Sequence, residues 1–448
     1  MQRKGMIELT RGKIIAGAVF IAVVTGAVIF YLFYTGSFGG GSKIKIDDPV
    51  RVGYDWRNYA AENNIVSDYL FSRSKKLIVA EGGDGVLAAT SYTIAGRLVT
   101  EEAESSGIYG LSDQALLMKC YVRAGDKMSA TALRNKVNEL FRLPDGSYRA
   151  FVYADGTNDE MTTNASMIDW LDAMCEYYVN FGNDDDYDNI KRLTEAIFDS
   201  DGSMRTEKIS VAKYAESLYV GLDDTSEINE DDEATLEQIY GTITGELDGA
   251  EVENVTNEEE VEGVLLSNIN LRLIRDLEAN GLLAQGAYDK ALLAVKKGFA
   301  GDGNPFYAYA TFGAMDGGEY YFCGRSTGAF DIAQNIKTMR NLAEVGELDS
   351  FSYGEFKGQI MNSGRIYSEY NIMTGNYSGS EATGSYVDGL MIAFYMQDAN
   401  LYSTLTNTIG KRVATKSSSP ALYMVFREEN DRYVFYAREN MGVRLATF

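Results

Sequence analysis

The sequence predicts an all-α domain of paired helices behind one membrane-spanning segment, and three observations support this fold class. Segments in which apolar residues recur at helical spacing follow one another after residue 50. That part of the 448-residue chain is long for one ordinary core, whereas a ring of helical hairpins reaches such a size as a single unit. Residues 14–34 contain no charged side chain and are long enough to cross a bilayer as a helix.

The helical spacing defines twelve segments, which suit six hairpins. The predicted helices cover residues 56–73, 111–124, 130–141, 164–180, 187–198, 211–219, 267–280, 287–299, 329–345, 353–363, 385–396 and 401–409. Thr163 offers a capping side chain ahead of the fourth helix, whose apolar stripe begins at Ile168. A short C-terminal β-hairpin is predicted from residues 422–426 and 432–436.

The N-terminal segments indicate how the chain is divided and oriented. Basic residues dominate 1–13, and a positive flank stays in the cytoplasm, so the chain after residue 34 is expected outside the cell membrane. Residues 14–34 are the expected anchor, 35–50 a linker and 51–448 the folded domain. A cleaved signal peptide is the alternative, but its apolar core would be shorter and no convincing cleavage site follows residue 34.

Composition excludes several classes of function. The net charge is −24, and its acidic residues concentrate in 222–262, which is predicted to be a solvated insertion. This stretch lacks the spacing of a defined calcium loop, so neither a metal nor another cofactor is expected. No basic patch is present to bind nucleic acid. The chain has no histidine, which excludes Ser-His and Cys-His nucleophiles and the usual catalytic zinc sites.

Carboxylates therefore remain as the candidate hydrolytic groups. Cleavage of a glycosidic bond with inversion needs one carboxylic acid for the leaving oxygen and a second carboxylate that activates water. Glu104 lies in a small-residue loop ahead of the apolar helix 111–124, where partial desolvation would suit a general acid. The alternative is that Glu104, like Glu101 and Glu102, only complements the dipole of that helix.

These motifs resemble glycoside hydrolase family 8. The run 104–108, Glu-Ser-Ser-Gly-Ile, is similar to the Ser-Glu-Ser-x-Gly-Leu element of Gram-positive branches of the family, although Ala103 replaces the first Ser. Segments 143–146, 164–171, 304–307, 342–346, 364–370 and 374–375 follow in the family's order. The resemblance extends from about residue 56 to the C-terminus. It implies an (α/α)6 toroid, an inverting mechanism on β-linked polysaccharide, and Glu104 as the general acid.

The resemblance also implies a base. Residues 330–334, Phe-Asp-Ile-Ala-Gln, are similar to the family's Tyr-Asp-Ala-x-Arg element, so Asp331 is the expected base. Gln334 replaces the Arg, which leaves the orientation of Asp331 unexplained. The alternative role of Asp331 is to complement a helix dipole. Asp316 and Glu319 are the fallback candidates for the base.

A third carboxylate is expected to hold the sugar at the cleavage point. Trp170 occupies the position where the family has the second Asp of this element, and either Asp169 or Asp172 can take that role, because the two share one helix face. Sugar rings stack on aromatic side chains near such carboxylates. The aromatic residues expected to line the cleft are Tyr109, Trp170, Tyr307, Tyr321 and Tyr367.

The sequence thus predicts an inverting endo-glycosidase that is anchored in the cell membrane and faces outward, with an extracellular polysaccharide or exopolysaccharide as its partner. Two alternatives stay open. The departures at Trp170 and Gln334 are compatible with a carbohydrate-binding protein that has lost turnover. The anchor and topology are also compatible with a structural component of an exopolysaccharide assembly system, with export machinery as its partner.

Overall fold

The fold is taken from a computed structural model of the chain. The structure describes residues 43–46, 56–79, 83–95, 103–158, 160–212, 258–301, 304–315, 320–322, 330–371 and 376–447. The predicted anchor at 14–34 and most of the linker and of the acidic insertion lie outside these residues. Within the described residues, no helix is both long and apolar enough to cross a membrane.

Helices make up most of the described chain. They are α1 (Trp56–Glu62), α2 (Ser67–Ser74), α3 (Gly83–Val86), α4 (Leu111–Arg123), α5 (Lys127–Leu140), α6 (Asn164–Phe181), α7 (Asp184–Ile197), α8 (Leu271–Ala279), α9 (Ala287–Lys297), α10 (Ile332–Glu344), α11 (Ser350–Ser363), α12 (Tyr386–Tyr395), α13 (Ala399–Gly410) and α14 (Ala437–Ala446). Capping side chains fix several starts, as predicted for α6, where Thr163 accepts a hydrogen bond from the backbone N–H of Ser166 at 3.2 Å.

Short strands connect the helices and form four small antiparallel sheets. They are β1 (Ser91–Ala95), β2 (Ala103–Ser105), β3 (Ile108–Gly110), β4 (Phe151–Tyr153), β5 (Glu207–Ala212), β6 (Glu258–Leu265), β7 (Ala310–Phe312), β8 (Tyr320–Tyr321), β9 (Phe330–Asp331), β10 (Tyr367–Asn371), β11 (Asn376–Glu381), β12 (Arg427–Glu429) and β13 (Arg432–Tyr436). The sheet orders are β12-β13-β1-β2, β11-β10-β9, β3-β4 and β5-β6-β7-β8.

Six of the described helices form a closed inner ring. In order around the ring they are α4, α6, α8, α10, α12 and α14, and α14 packs back against α4. A buried ion pair between Asp172 and Arg272 joins α6 to α8. Helices α5, α7, α9 and α13 pack outside the ring members that precede them, and α2 packs against α14. This arrangement is consistent with the predicted (α/α)6 toroid.

Ion pairs show that neighbouring ring helices run parallel. Lys119 of α4 pairs with Asp172 of α6. Arg123, one turn later in α4, lies 3.7 Å from Glu176, one turn later in α6. Later residues therefore meet later residues, and the N-terminal ends of the two helices open on the same face of the ring.

Helices α10 and α12, on the far side of the ring, also run parallel to each other. Arg340 donates to Asp388 at 2.9 Å, and Tyr395, later in α12, donates to Glu344 at 2.9 Å. In a ring of this order α4 and α10 stand opposite each other. Segments that precede these two helices consequently approach the same mouth of the ring from opposite sides.

Two sequence predictions are corrected at the ends of elements. Residues 258–262, predicted as the end of the solvated insertion, belong to strand β6, which pairs with β5. Val261 packs against the apolar cluster that includes Ile209 and Val211. Its neighbours Glu260 and Glu262 are exposed, as in a strand with one covered face. Residues 211 and 212, predicted to begin a helix, end strand β5, and the remainder of that predicted helix lies outside the described residues.

The predicted C-terminal hairpin is also corrected. Its first strand is β12, a few residues after the predicted 422–426, and its second strand pairs with β1 within a four-stranded sheet. The hairpin is not the end of the fold, because α14 follows it and completes the inner ring. Polar residues on the buried side of α14, including Glu439 and Arg444, concealed its helical spacing.

Candidate active site

A cavity of about 80 Å³ lies inside the ring near the N-terminal ends of its helices. Side chains from four ring helices reach it: Ser112 of α4, Asp169 of α6, Lys337 of α10 and Asp388 of α12. Arg438, at the start of α14, adds a fifth. We call this space the N-terminal cavity. Sites on ring helices are held rigidly, which suits a binding pocket whose polar groups must be positioned accurately.

Two charged groups of the N-terminal cavity are open to a ligand. Among the described residues, neither Asp169 nor Lys337 has a hydrogen bond or an ion pair within 4.0 Å. Other charged lining groups are engaged, since Asp172 is held by Lys119 and Asp388 by Arg340. A free acceptor and a free donor that face one cavity are the groups needed to bind sugar hydroxyls. Of Asp169 and Asp172, the two residues predicted to hold the sugar, Asp169 is the one without an ion pair among the described residues.

Lys337 was not identified from the sequence. Burial lowers the pKa of its ammonium, an effect that Asp169 opposes and Arg438 reinforces. Its position three residues before Arg340 places both cations on the ring-facing side of α10. The only sequence signal was a lysine inside a helix whose neighbours Ile336 and Met339 are apolar, and this signal alone does not show which way the side chain points.

Asp331 caps α10 at the mouth of the ring. Its Oδ1 accepts a hydrogen bond from the backbone N–H of Gln334 at 3.1 Å. The Gln334 side chain accepts a hydrogen bond from Ser267. The orientation of Asp331, which the missing Arg had left unexplained, thus comes from the helix N-terminus itself, while Oδ2 remains free of hydrogen bonds within the described residues.

Glu369 is an acidic residue on the strand next to Asp331. The two residues are direct partners in the antiparallel ladder of β9 and β10. Side chains of directly opposed residues project to the same face. Glu369 is half-buried and lies within the sequence motif 364–370, but sequence spacing gave no reason to place it beside Asp331. The fallback candidates Asp316 and Glu319 lie outside the described residues.

Glu104 lies on β2, where it pairs with Thr93 of β1. The expected partial desolvation of Glu104 is wrong for the unliganded chain, because its side chain is exposed. The reason is local. Strand β2 forms an edge of its sheet, and the following helix α4 begins only after β3, so α4 does not cover the carboxyl group. Catalytic contacts are often open in unliganded sites, so exposure does not exclude a catalytic role.

The ring order relates the three candidate carboxylates. Glu104 precedes α4, Asp331 caps α10, and Asp169 lies on α6 between these opposite helices. Because the ring helices run parallel, Glu104 and Asp331 approach the mouth above the N-terminal cavity from opposite sides. Hydrolysis with inversion requires two acids on opposite sides of the scissile bond, and this order of elements is compatible with that requirement.

Most of the predicted cleft aromatics are core residues instead. Trp170 is 0% exposed and packs near Tyr148, with ring centroids 6.4 Å apart. Tyr109, Tyr307 and Tyr321 are also buried. The predicted stacking role is therefore wrong for these four side chains, since a buried ring has no free face for a sugar. Apolar spacing on α6 and the alternation within the short strands signal burial as readily as ligand contact.

Tyr367 is the predicted aromatic residue that remains accessible. Its ring stacks on that of Tyr377, with centroids 5.9 Å apart, across the hairpin of β10 and β11. Arg365 donates a hydrogen bond to the Tyr367 hydroxyl group at 3.0 Å. This hairpin also carries Glu369 beside Asp331, so Tyr367 is retained as a candidate sugar-binding residue.

Asp172 has a structural environment, contrary to its predicted role in binding substrate. It accepts hydrogen bonds from Lys119 and Arg272, and Asn270 donates to it at 3.4 Å. Burial works against ionisation of Asp172, but Arg272 and Lys119 hold its pKa well below the usual range. Asp172 is thus a buried counterion that joins α4, α6 and α8.

A larger cavity, of about 470 Å³, opens at the opposite mouth of the ring. Residues near the C-terminal ends of the ring helices line it, among them Glu176, Glu344 and Tyr395. Glu344 accepts hydrogen bonds from Tyr395 and from Arg272, and Glu176 lies 3.3 Å from Lys119. The size of this cavity does not make it the better candidate, because these charged groups already satisfy one another.

Asp113 is a buried carboxyl group that sequence reasoning missed. It lies in the first turn of α4, beneath the mouth of the ring. Burial raises the pKa of Asp113 to about 7, and the negative charge of Asp169 adds to the rise while Arg438 opposes it. Asp113 does not line the N-terminal cavity, so it influences the site through charge and not through contact.

Replacement of Asp113 by Asn is expected to remove a pH dependence of stability. The pKa of Asp113 is about 7 in the folded chain, against an ordinary value of 3.8 for the unfolded chain. Between these pH values the folded chain therefore keeps a proton that the unfolded chain has lost. The free energy of unfolding of the wild type should therefore fall by about 2 to 3 kcal/mol more than that of the variant from pH 5 to pH 7. Denaturant titrations at both pH values test this.

The control for this experiment is Asp185→Asn, on the exposed start of α7. It should follow the wild-type stability curve over the same pH range. Equal slopes for wild type and Asp113→Asn would show that Asp113 is ionised in the folded chain at pH 5, contrary to its buried environment.

The described helices define the class of fold, which is a mostly helical, toroid-like domain. No family model and no curated protein matches the sequence. A solved structure titled a novel alpha-amylase from Clostridium perfringens matches with a TM-score of 0.59 and 15% identity, over 86% of this chain and 97% of that one.

Two further solved structures show the same fold. PssZ from Listeria monocytogenes has a TM-score of 0.50 and 10% identity, over 84% of this chain and 93% of its own. A beta-1,3-1,4-glucanase from Paenibacillus sp. X4 has a TM-score of 0.50 and 11% identity, over 90% and 94%. The prediction of a mostly helical, glycosidase-like fold is confirmed, and at these identities the likeness concerns the fold alone.

Proposed function

We propose that the chain is an inverting glycoside hydrolase that cuts an extracellular polysaccharide, with Glu104 as the general acid and Asp331 as the base. One observation carries this proposal. Two acidic side chains precede opposite helices of one ring, at the same mouth, above a cavity that presents an unpaired Asp169. The resemblance to glycoside hydrolase family 8 implies Glu104 as the acid and Asp331 as the base. It leaves the sugar-holding role to Asp169 or Asp172.

In the proposed reaction Glu104 donates its proton to the glycosidic oxygen as the bond from the anomeric carbon to that oxygen breaks. Water attacks the anomeric carbon from the opposite side, and Asp331 accepts the proton of this water. Inversion requires the two carboxyl groups to be roughly 6.5 to 9.5 Å apart when substrate is bound, which leaves room for the water. A sugar that covers Glu104 removes water from its carboxyl group and favours the protonated acid.

The environment of Asp331 suits a base. The N-terminus of α10 stabilises a carboxylate, and the hydrogen bond from Gln334 N–H fixes one of its oxygens. The other oxygen is left for water. Glu369, its cross-strand partner, is the second candidate for the base because its side chain projects to the same face.

The choice of a β-linked substrate is part of the proposal. Structures titled as an alpha-amylase and as a beta-1,3-1,4-glucanase share this fold, so the fold itself does not select the linkage. The motifs that resemble family 8 favour β-linked glycans. The aromatic hairpin around Tyr367 provides a surface on which successive sugar rings can stack.

We also propose that residues 14–34 anchor the protein in the cell membrane with the domain outside. Described residues of the linker support a definite orientation. The backbone N–H of Lys45 donates to Asn280 at 2.8 Å, and that of Lys43 donates to the Tyr178 hydroxyl group at 3.2 Å. Both partners lie at C-terminal ends of ring helices, so the anchor would leave the N-terminal cavity facing away from the membrane.

The test is release of reducing ends by the full chain from β-glucans, xylan, chitosan, starch and exopolysaccharide of the producing cell. The proposal predicts release from at least one β-linked polymer. Binding without release would favour a carbohydrate-binding protein that lacks turnover. Failure to bind any polymer, with co-purification of export subunits, would favour a structural component of an exopolysaccharide assembly system.

A further inference from the structure

The charge of the N-terminal cavity is opposite to that of the chain. Among its described lining residues, Lys119, Lys337, Arg340 and Arg438 outnumber the acids Asp169, Asp172 and Asp388. The whole chain has 65 acidic and 41 basic residues. A local excess of cations in such an acidic protein indicates a site whose charge is arranged for a ligand.

Among the described residues, ion pairs within the protein leave Lys337 unpaired and engage Arg438 only weakly. Lys119 is engaged by Asp172, and Arg340 by Asp388. Arg438 Nη2 lies 3.8 Å from Asp388 Oδ2, which is beyond hydrogen-bond distance.

Lys337 has no carboxylate within 4.0 Å among the described residues. The cavity therefore has more hydrogen-bond donors, on Lys337 and Arg438, than acceptors on Asp169. Asp169 is the one unpaired acid among the described residues that line the cavity.

Lys337 and Arg438 also repel each other. Arg438 lies close enough to disfavour the charge of Lys337, and burial, the largest effect, lowers the pKa of Lys337 further. Asp169 offsets part of this cost, but a buried ammonium group beside a second cation remains costly. An anion bound between Lys337 and Arg438 would relieve both effects.

We propose that the N-terminal cavity is a subsite for an acidic sugar, in which Lys337 and Arg438 bind the carboxylate of a uronic acid residue. Asp169 accepts a hydrogen bond from a hydroxyl group of the same ring. This inference rests on the proposed hydrolase function and specifies its substrate as an anionic, uronate-bearing polysaccharide. The cavity has room for several ordered waters, which the sugar displaces.

The experiment compares oligosaccharides that differ only in the carboxylate. Uronate-bearing xylo-oligosaccharides and oligosaccharides that contain β-linked glucuronic acid are titrated calorimetrically into the full chain, and so are the same compounds after chemical reduction of each carboxylate to a primary alcohol. At least one uronate form should bind about tenfold or more tightly than its reduced form, a typical effect of charge-assisted hydrogen bonds. Equal affinity for every pair would overturn the subsite.

Variants locate the effect. Lys337→Gln should remove the preference for the uronate form, while Lys337→Arg should retain most of it. Lys191→Gln, which removes an exposed cation of α7, should leave the preference intact. An unchanged preference in Lys337→Gln would contradict the proposal. If that variant does not fold, Arg438→Gln provides the second test, because its side chain is largely exposed and its loss leaves the core intact.

Failure of the subsite and failure of the hydrolase give different results. Preferential uronate binding without release of reducing ends would contradict the proposed hydrolysis and support the subsite. Cleavage of a neutral polysaccharide, with no preference for any uronate form, would support the hydrolysis and overturn the subsite.

Discussion

Replacement of Glu104 by Gln is expected to slow cleavage of the polysaccharide by about 10²- to 10⁴-fold, the usual contribution of a general acid. Glutamine keeps the shape of the side chain but has no acidic proton for the leaving oxygen. Glu104 is exposed, so the variant should unfold at the same denaturant concentration as the wild type. Initial rates of reducing-end release at saturating substrate measure the effect on the chemical step.

Glu139→Gln is the matched control, since Glu139 is an exposed glutamate on α5 whose contact with Lys136 lies at the surface. Its cleavage rate should equal that of the wild type. A Glu104→Gln enzyme that retains full activity would remove Glu104 from the mechanism. The acid would then have to be sought among the other carboxyl groups at this mouth of the ring.

Replacement of Arg272 by Met is expected to lower the free energy of unfolding by about 3 to 5 kcal/mol, the usual cost of removing one member of a buried ion pair. Arg272 is buried and donates hydrogen bonds to Asp172, Asp276 and Glu344. These acids come from α6, α8 and α10, so one guanidinium group joins three neighbouring ring helices. Its removal leaves buried carboxylates without their counterion.

Denaturant unfolding of the full chain measures this loss. The control is Lys191→Met, which breaks the pair of Lys191 and Glu195 on the exposed face of α7. That pair should contribute less than about 0.5 kcal/mol, as exposed pairs one helical turn apart generally do. A small effect of Arg272→Met would mean that the acids find other partners or protonate, and that the polar interior does not hold the ring together.

Local features of the helices were predictable from sequence because their causes are local. Thr163 caps α6 and Asp331 caps α10 since short polar side chains accept hydrogen bonds from the first turn of a helix. The stripe that begins at Ile168 is buried, as its spacing predicted. In long helices with regular apolar spacing and clear caps, the residues that set the helix start and the buried face lie within a few positions of each other.

Contacts between distant segments were not predictable in the same way. Asp172 and Arg272 are one hundred residues apart in the chain, and no local pattern distinguishes a buried counterion from a residue that binds sugar. Trp170 was placed in the cleft because of its neighbours in the motif, whereas the helix turns its ring into the core. Lys337 became a candidate only when the ring order placed it beside Asp169 and Arg438.

The configuration of the first product tests the central claim most directly. Proton NMR of the full chain acting on a β-linked oligosaccharide distinguishes the anomers before mutarotation mixes them. Two carboxylates on opposite walls of one ring predict that the α-anomer appears first and the β-anomer follows at the rate of mutarotation. Initial formation of the β-anomer would contradict the account, because it requires a carboxylate close enough to attack the sugar itself.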